Sequence, residues 1–277
     1  MAHNLAQCRV LVQKAVAAGA KALFLPEASD YIAPNASTSL SLCLPASTSP
    51  FVLGLRDLAR NHNMPINVGI HEPATTSGSG SITKIKNTLI WISASGEITH
   101  QYHKLHLFDV SIKNGPVLKE SQSVEPGSQL TEPFDTVIGK LGMLICFDLR
   151  FPEPSLSLRH RGAQILTYPS AFTVPTGQAH WETLLRARAI ETQSYVIAAA
   201  QCGVHDAPPE GEGKRRSYGH GMVVDPWGRV VAELGGEGGV KLDIGEIAVA
   251  DIDLGVVEKV REEMPLARRT DVYPQVL

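Results

Sequence analysis

Apolar positions along this chain recur at two spacings, and the switches between them mark out helices and strands. Leu5, Cys8, Val12, Ala15 and Val16 fall at helical spacing behind Asn4. That predicts a first helix capped by Asn4, ended by Gly19, with Cys8 in the core. The short apolar run 22–25 predicts a strand, stopped by Pro26, which has no N–H to give a ladder. Residues 37–50, rich in Ser, Thr and Pro, read as a loop. Phe51, Leu55, Leu58 and Ala59 predict a second helix, and 66–70 a strand. A Ser/Thr/Gly loop over 74–81 precedes two strands, 88–92 and 98–102, joined across Ser95-Gly96. A long polar loop follows at 114–127.

The second half opens on an apolar run, 141–145, of the length a buried strand needs, with Cys146 directly behind it. Pro152 and Pro154 restart the chain as a helix through Arg161. Residues 164–168 form another strand. Residues 178–193 form a helix whose Arg186 and Arg188 read as a solvated face near Glu182 and Glu191. A strand at 195–200 leads to a mobile surface loop, 205–217. A hairpin, 218–224 with 230–234, turns at Asp225-Pro226-Trp227-Gly228. A last strand spans 247–252, and Asp253 caps a final helix to Glu263. Early alternation and late hairpins predict one mixed sheet system with helices outside, in a single domain over 1–277.

Composition narrows the partners. With 277 residues, 43% hydrophobic and 19% charged, the chain has ample length for a core. Its 25 Lys+Arg against 28 Asp+Glu form no basic stripe, so nucleic acid is not an expected partner. No apolar run approaches the roughly 18 residues of a membrane helix. The cysteines at 8, 43, 146 and 202 form no Cys-x-x-Cys pair, and no signal peptide is visible. Free thiols in a reducing compartment follow, cytoplasmic by expectation, with the mitochondrion left open.

Three chemistry-bearing residues stand at strand ends: Glu27, Lys104 and Cys146. A cysteine between a buried strand and a helix sits where open α/β sheets place ligands, although many such cysteines are only core. Glu27 could take the thiol proton or be an exposed loop acid. Lys104 could face an oxyanion or snorkel to solvent. The Phe147 N–H would be a second oxyanion donor. His103 and His106 lack a third ligand at a known metal spacing. No Gly-x-Ser-x-Gly elbow, phosphate loop, dinucleotide fingerprint or zinc deaminase signature competes. The residues alone lead to a thiol hydrolase, against a structural role for each.

Three stretches then carry a resemblance. Leu25-Pro26-Glu27, Tyr102-His103-Lys104-Leu105-His106 and the run from Ile145 through Cys146-Phe147-Asp148-Leu149-Arg150 to Glu153 resemble the signatures of the nitrilase (carbon–nitrogen hydrolase) superfamily. Tyr168 to Phe172, His180-Trp181-Glu182, Arg186 to Gln193 and Gly219 to Gly228 are similar to its Nit branch. The resemblance implies a four-layer α-β-β-α sandwich that dimerises or assembles further as a homo-oligomer, needs no cofactor or metal, and acts on a small-molecule amide. It also implies Glu27 as base, Lys104 in the oxyanion site, Cys146 as nucleophile and Glu120 as a second glutamate orienting the lysine. The implied reaction is hydrolysis of deaminated glutathione to 2-oxoglutarate and cysteinylglycine, a metabolite repair. The alternatives are omega-amidase activity on α-ketoglutaramate, or a truncated, non-catalytic chain. Phe147, Arg150, Ser170, Ala171, Phe172 and Thr173 are candidate substrate contacts, with a structural ion pair as the other role for Arg150. Family members begin with an apolar strand before the first helix. This sequence begins almost inside that helix, so the first strand is expected to be missing.

Overall fold

The computed structural model describes residues 1–76, 80–111, 117–205, 215–236 and 245–273. The first half runs α1 (Ala2–Ala17), β1 (Leu23–Phe24), α2 (Ala36–Leu42), α3 (Pro50–His62), β2 (Ile66–Thr76), β3 (Ile82–Ile92) and β4 (Ile98–His103). Two short strands, β5 (Asp109–Ser111) and β6 (Val117–Lys119), lead to a 3-10 turn at Glu120–Gln122. Next come β7 (Phe134–Thr136), β8 (Gly139–Met143), a 3-10 turn at Cys146–Arg150, α4 (Pro152–His160), β9 (Ile165–Thr167) and α5 (Val174–Thr192). The chain then forms β10 (Tyr195–Ala198), β11 (Cys202–Val204), β12 (Arg216–Tyr218), β13 (Met222–Val224), β14 (Val230–Glu233) and α6 (Leu254–Glu263).

Two sheets form the centre. One has the order β1-β2-β3-β4, the other β14-β13-β10-β9-β8-β7. Side-chain alternation along β3 explains the layering. Ile90 and Ile92 join Val12, Phe51 and Leu55 of α1 and α3, whereas Leu89 and Trp91 join Met143, Leu166 and Trp181 on the side of the second sheet. The middle strands β8, β9 and β10 pair in parallel. Both faces of such strands are covered, and Ile165, Leu166, Val196 and Ala198 are accordingly all buried. The result is the expected α-β-β-α sandwich. Two further ladders, β5 with β6 and β11 with β12, stand outside both sheets. Among the described residues, no helix is long and apolar enough to cross a membrane.

Several local expectations change. Asn4 does not cap α1, whose N-cap is Met1. Its side-chain amide instead donates to the carbonyls of Ser29 (3.0 Å) and Asp30 (3.2 Å), tying α1 to the loop behind Glu27. The Ser/Thr-rich stretch contains a helix, α2, because the Asn35 side chain accepts from Thr38 N–H at 2.9 Å. β2 extends to Thr76, into the expected 74–81 loop, of which 77–79 lie outside the described residues. In the polar loop, β6 and the 3-10 turn replace part of the irregular chain. The 205–217 loop falls mostly outside the described residues, and its end is β12. Arg186 is half exposed, as a solvated face requires, but Arg188 is buried and reaches the Leu149 carbonyl at 2.8 Å.

The expected last strand at 247–252 has no regular secondary structure and joins no ladder among the described residues. It lies across a cleft of 1570 Å³ whose other walls include Leu23, Phe24, Leu25 and Ile197. Among the described residues β1 is the edge of its sheet, and it lines the same cleft. Asp253 caps α6 as expected, accepting from Gly255 N–H at 2.9 Å.

Candidate active site

The strand ends converge on one buried point. Leu25 N–H still bonds the Asn67 carbonyl, and Pro26 then ends the strand. Glu27 is held there by crossed backbone bonds with β2: Gly69 N–H to the Pro26 carbonyl and Ser29 N–H to the Gly69 carbonyl. The chain passes so close that a Cβ at Gly69 would stand 2.6 Å from Glu27 Cα and 2.9 Å from the Pro26 oxygen. Gly69→Ala should therefore push Glu27 out of place. A loss of about 1–3 kcal/mol in denaturant unfolding is expected from the overpacking, and about a 10²-fold fall in turnover from the misplacement.

Lys104 follows β4, and its N–H donates to the Asn87 carbonyl of β3 at 3.0 Å. Glu120 is brought alongside by the β5–β6 ladder, which pairs Asp109 with Lys119. Cys146 follows β8 in a left-handed backbone conformation (φ 44°), with its N–H on the Pro169 carbonyl at 3.1 Å. A non-glycine residue held there is strained, as nucleophiles on sharp strand-to-helix turns are.

Lys104 Nζ lies 3.0 Å from Glu27 Oε1 and 2.9 Å from Glu120 Oε2. Glu27 Oε2 accepts from Ala171 N–H at 2.8 Å, and Glu120 Oε2 from Phe108 N–H at 2.6 Å. Lys104 is only 3% exposed, so it is a buried cation, neither snorkelling nor a surface residue. Glu27 is likewise buried and Glu120 is ion-paired, so neither is a free loop acid.

The charges hold one another. Burial alone would favour neutral Lys104, but Glu120 and then Glu27 keep it well above the usual lysine range. Burial would likewise raise Glu27. The Lys104 charge and hydrogen bonds from Cys146, Lys104 and Asn87 reverse that and hold its carboxyl low. Burial and the neighbouring Glu27 charge push the Cys146 thiol up, with Lys104 pulling the other way. The Cys146 thiol is thus hydrogen-bonded to the Glu27 carboxylate.

The other candidates fall into two groups. Phe147 and Phe172 flank Arg150, whose Cζ is 5.7 Å and 5.9 Å from their ring centroids. Arg150 donates to His180 Nδ1 at 3.2 Å, and among the described residues no carboxylate forms an ion pair with it. Ser170 is buried, and its hydroxyl donates to the Tyr168 carbonyl. Ala171 N–H is committed to Glu27, and Thr173 stands at the N-cap position of α5, without a side-chain capping bond, and bridges to Ser217. His103 and His106 face different neighbours, Thr88 Oγ1 and Asp148.

Sequence reasoning missed Asn87. Its Nδ2 donates to Glu27 Oε1 at 2.7 Å and to Glu120 Oε1 at 3.2 Å, joining the two carboxylates. The available signal was an asparagine inside a strand, where that residue is depleted. Asp148 was quoted in a motif without a role, yet it is fully buried and hydrogen-bonded on both oxygens.

A fold of two facing sheets between helices, with a cysteine, a lysine and two glutamates gathered at the strand ends, is the scaffold of a hydrolase. The carbon-nitrogen hydrolase family model matches residues 1–262, and the chain belongs to that family. It is 46% identical over 277 residues to the probable hydrolase nit2 of Schizosaccharomyces pombe, covering 99% of this chain and 94% of that one. It is 44% identical over 275 residues to the deaminated glutathione amidase of Mus musculus, covering 98% of this chain and 80% of the relative. The crystal structure of the Caenorhabditis elegans NitFhit protein superposes with a TM-score of 0.86 at 42% identity, over 99% of this chain. This chain spans 62% of that NitFhit chain, less than two thirds of its length.

Proposed function

We propose that this protein is a cofactor-free amidase that hydrolyses deaminated glutathione to 2-oxoglutarate and cysteinylglycine. The observation that carries the reading is the cluster of buried Glu27, Lys104 and Cys146 with part-buried Glu120, in which Lys104 is ion-paired to both glutamates. The substrate is suggested by the relatives that bear that activity in their names.

The chemistry follows from the groups. Cys146 Sγ attacks the amide carbonyl while its proton passes to Glu27. The oxyanion forms against Lys104 Nζ and the Phe147 N–H, and Glu120 keeps the lysine charged and aimed. Collapse breaks the C–N bond, with Glu27 returning the proton to the departing nitrogen. Water, deprotonated by Glu27, then opens the thioester, and the thiol is restored. Arg150 is the natural receptor for the α-keto acid end of the substrate. It is half-buried, framed by two aromatic rings and without a carboxylate partner among the described residues.

The test is 2-oxoglutarate release from deaminated glutathione and from α-ketoglutaramate, side by side. Faster turnover of the former supports the reading, and preference for the latter turns the enzyme into an omega-amidase with the same chemistry. Arg150→Leu should raise KM for either acid by about 10–100-fold, the scale of a lost charge-assisted hydrogen bond. It should leave a neutral amide of similar size unaffected, and an equal loss on the neutral amide would rule out carboxylate recognition.

The same reading takes the enzyme as a cytoplasmic homodimer. The buried thiols of Cys8, Cys43 and Cys146, none of them in a disulfide, favour a reducing compartment. Exposed Ile190 and Trp227, on adjoining parts of α5 and the 225–228 turn, favour a covered face.

A further inference from the structure

Asp148 is fully buried two residues beyond Cys146. Its Oδ2 accepts from Ile145 N–H at 3.0 Å and from the Tyr102 hydroxyl at 2.7 Å. Its Oδ1 accepts from His106 N–H at 3.0 Å and lies 2.8 Å from His106 Nδ1. A carboxylate only accepts, so that ring nitrogen carries the hydrogen. Tyr102 and His106 stand two residues before and two residues after Lys104. The His106 ring also lies flat on Phe151, at 3.7 Å and 12°, just past the Cys146–Arg150 turn.

One side chain therefore joins the segment carrying the lysine, in the first sheet, to the turn carrying the nucleophile, behind the second. The turn itself needs only its Ile145 N–H satisfied, which any short capping side chain could do. The other three bonds serve no local purpose, because all of them reach across to the lysine segment. We propose that Asp148 is a positioning residue that fixes where Cys146 Sγ stands relative to Lys104 Nζ, with Tyr102 and His106 as its two grips. The inference rests on reading Cys146 and Lys104 as the reacting pair.

The experiment compares Tyr102→Phe, His106→Phe and Asp148→Asn in a Cys202→Ser background, which removes the one exposed thiol. Tyr102→Phe deletes a single bond and keeps the ring. His106→Phe keeps both the backbone bond and a ring against Phe151. For each, three quantities are measured: kcat and KM on deaminated glutathione, the rate of Cys146 alkylation by iodoacetamide, and Tm. Each single-bond variant should lower kcat about tenfold, the scale of one charge-assisted hydrogen bond, with KM little changed. Asp148→Asn should lower kcat by about 10²-fold, as a misplaced reacting pair does. The alkylation rate should shift in every variant, and that measurement does not depend on which amide is the substrate.

If Tyr102→Phe and His106→Phe lower Tm but leave kcat and alkylation unchanged, Asp148 merely stabilises the fold and the proposal is overturned. Those two variants decide the matter even if Asp148→Asn does not fold. A Cys146→Ala protein that still turned over substrate would instead sink the underlying catalytic reading. An inactive Cys146→Ala beside fully active grip variants would sink the positioning role alone.

Discussion

Replacing Cys146 with alanine should abolish amide turnover while leaving the protein folded. The loss should be on the order of 10⁴–10⁶-fold in kcat, the scale seen when a covalent nucleophile is removed. The structure gives two reasons to expect an intact fold. Cys146 already occupies a left-handed backbone conformation, and alanine meets no greater backbone strain there than cysteine does. Removing the sulfur also leaves Glu27 with its bonds from Lys104, Asn87 and Ala171. Circular dichroism and a cooperative melt would establish the fold, and 2-oxoglutarate release the activity. Substantial residual turnover by folded Cys146→Ala would remove the thioester from the mechanism altogether.

Lys104→Met is expected to be the most damaging single change to stability and activity together. Lys104, Glu27 and Glu120 form a cation between two carboxylates, and the Lys104 and Glu27 side chains are 3% and 6% exposed. Taking away the cation leaves a buried negative charge without its partner, a change that costs about 3–5 kcal/mol in comparable sites. Urea unfolding would read this directly. Activity should fall by at least about 10²-fold through loss of an oxyanion donor.

The pH dependence should move as well. In the wild type the Glu27 carboxyl lies below its ordinary 4.5, so its stabilising contribution is present above that value and fades as pH falls through the depressed one. Without Lys104, burial prevails and the carboxyl titrates higher. A base must be ionised to act, so the acid limb of any residual activity should shift toward neutral pH. An unchanged acid limb would mean that Glu27 is not the base.

Much of this site was legible because its residues sit where regular structure ends. Pro26 stops a strand, and Cys146 closes an apolar run, so Glu27 and Cys146 declared their positions through backbone punctuation. Lys104 stood out as a charge among apolar and histidine neighbours. The partners of these residues were not legible for the opposite reason. Asn87 lies inside β3 and Asp148 inside a turn, and a buried polar residue there leaves no periodic mark. Its meaning comes from what faces it across forty or more residues: Asp148 from Tyr102 and Asn87 from Glu27 are such cases. Glu120 was indicated by family resemblance alone, since its ion pair depends on the β5–β6 ladder bringing it back to Lys104. The strand at 247–252 was misread because alternation records which face is apolar, while a ladder also needs a neighbour.

The two small ladders give the molecule a division of labour that bears on how such enzymes diversify. β5 with β6 delivers Glu120, and β12, beside β11, touches Thr173 through a bridge at Ser217. Neither ladder belongs to the sheets that hold Glu27, Lys104 and Cys146. Surface connections of this kind tolerate insertion and replacement far better than packed strands do. The β11–β12 rim can therefore vary more readily than the strands that position Glu27, Lys104 and Cys146, whereas the β5–β6 ladder is constrained by the Glu120–Lys104 ion pair it holds in place.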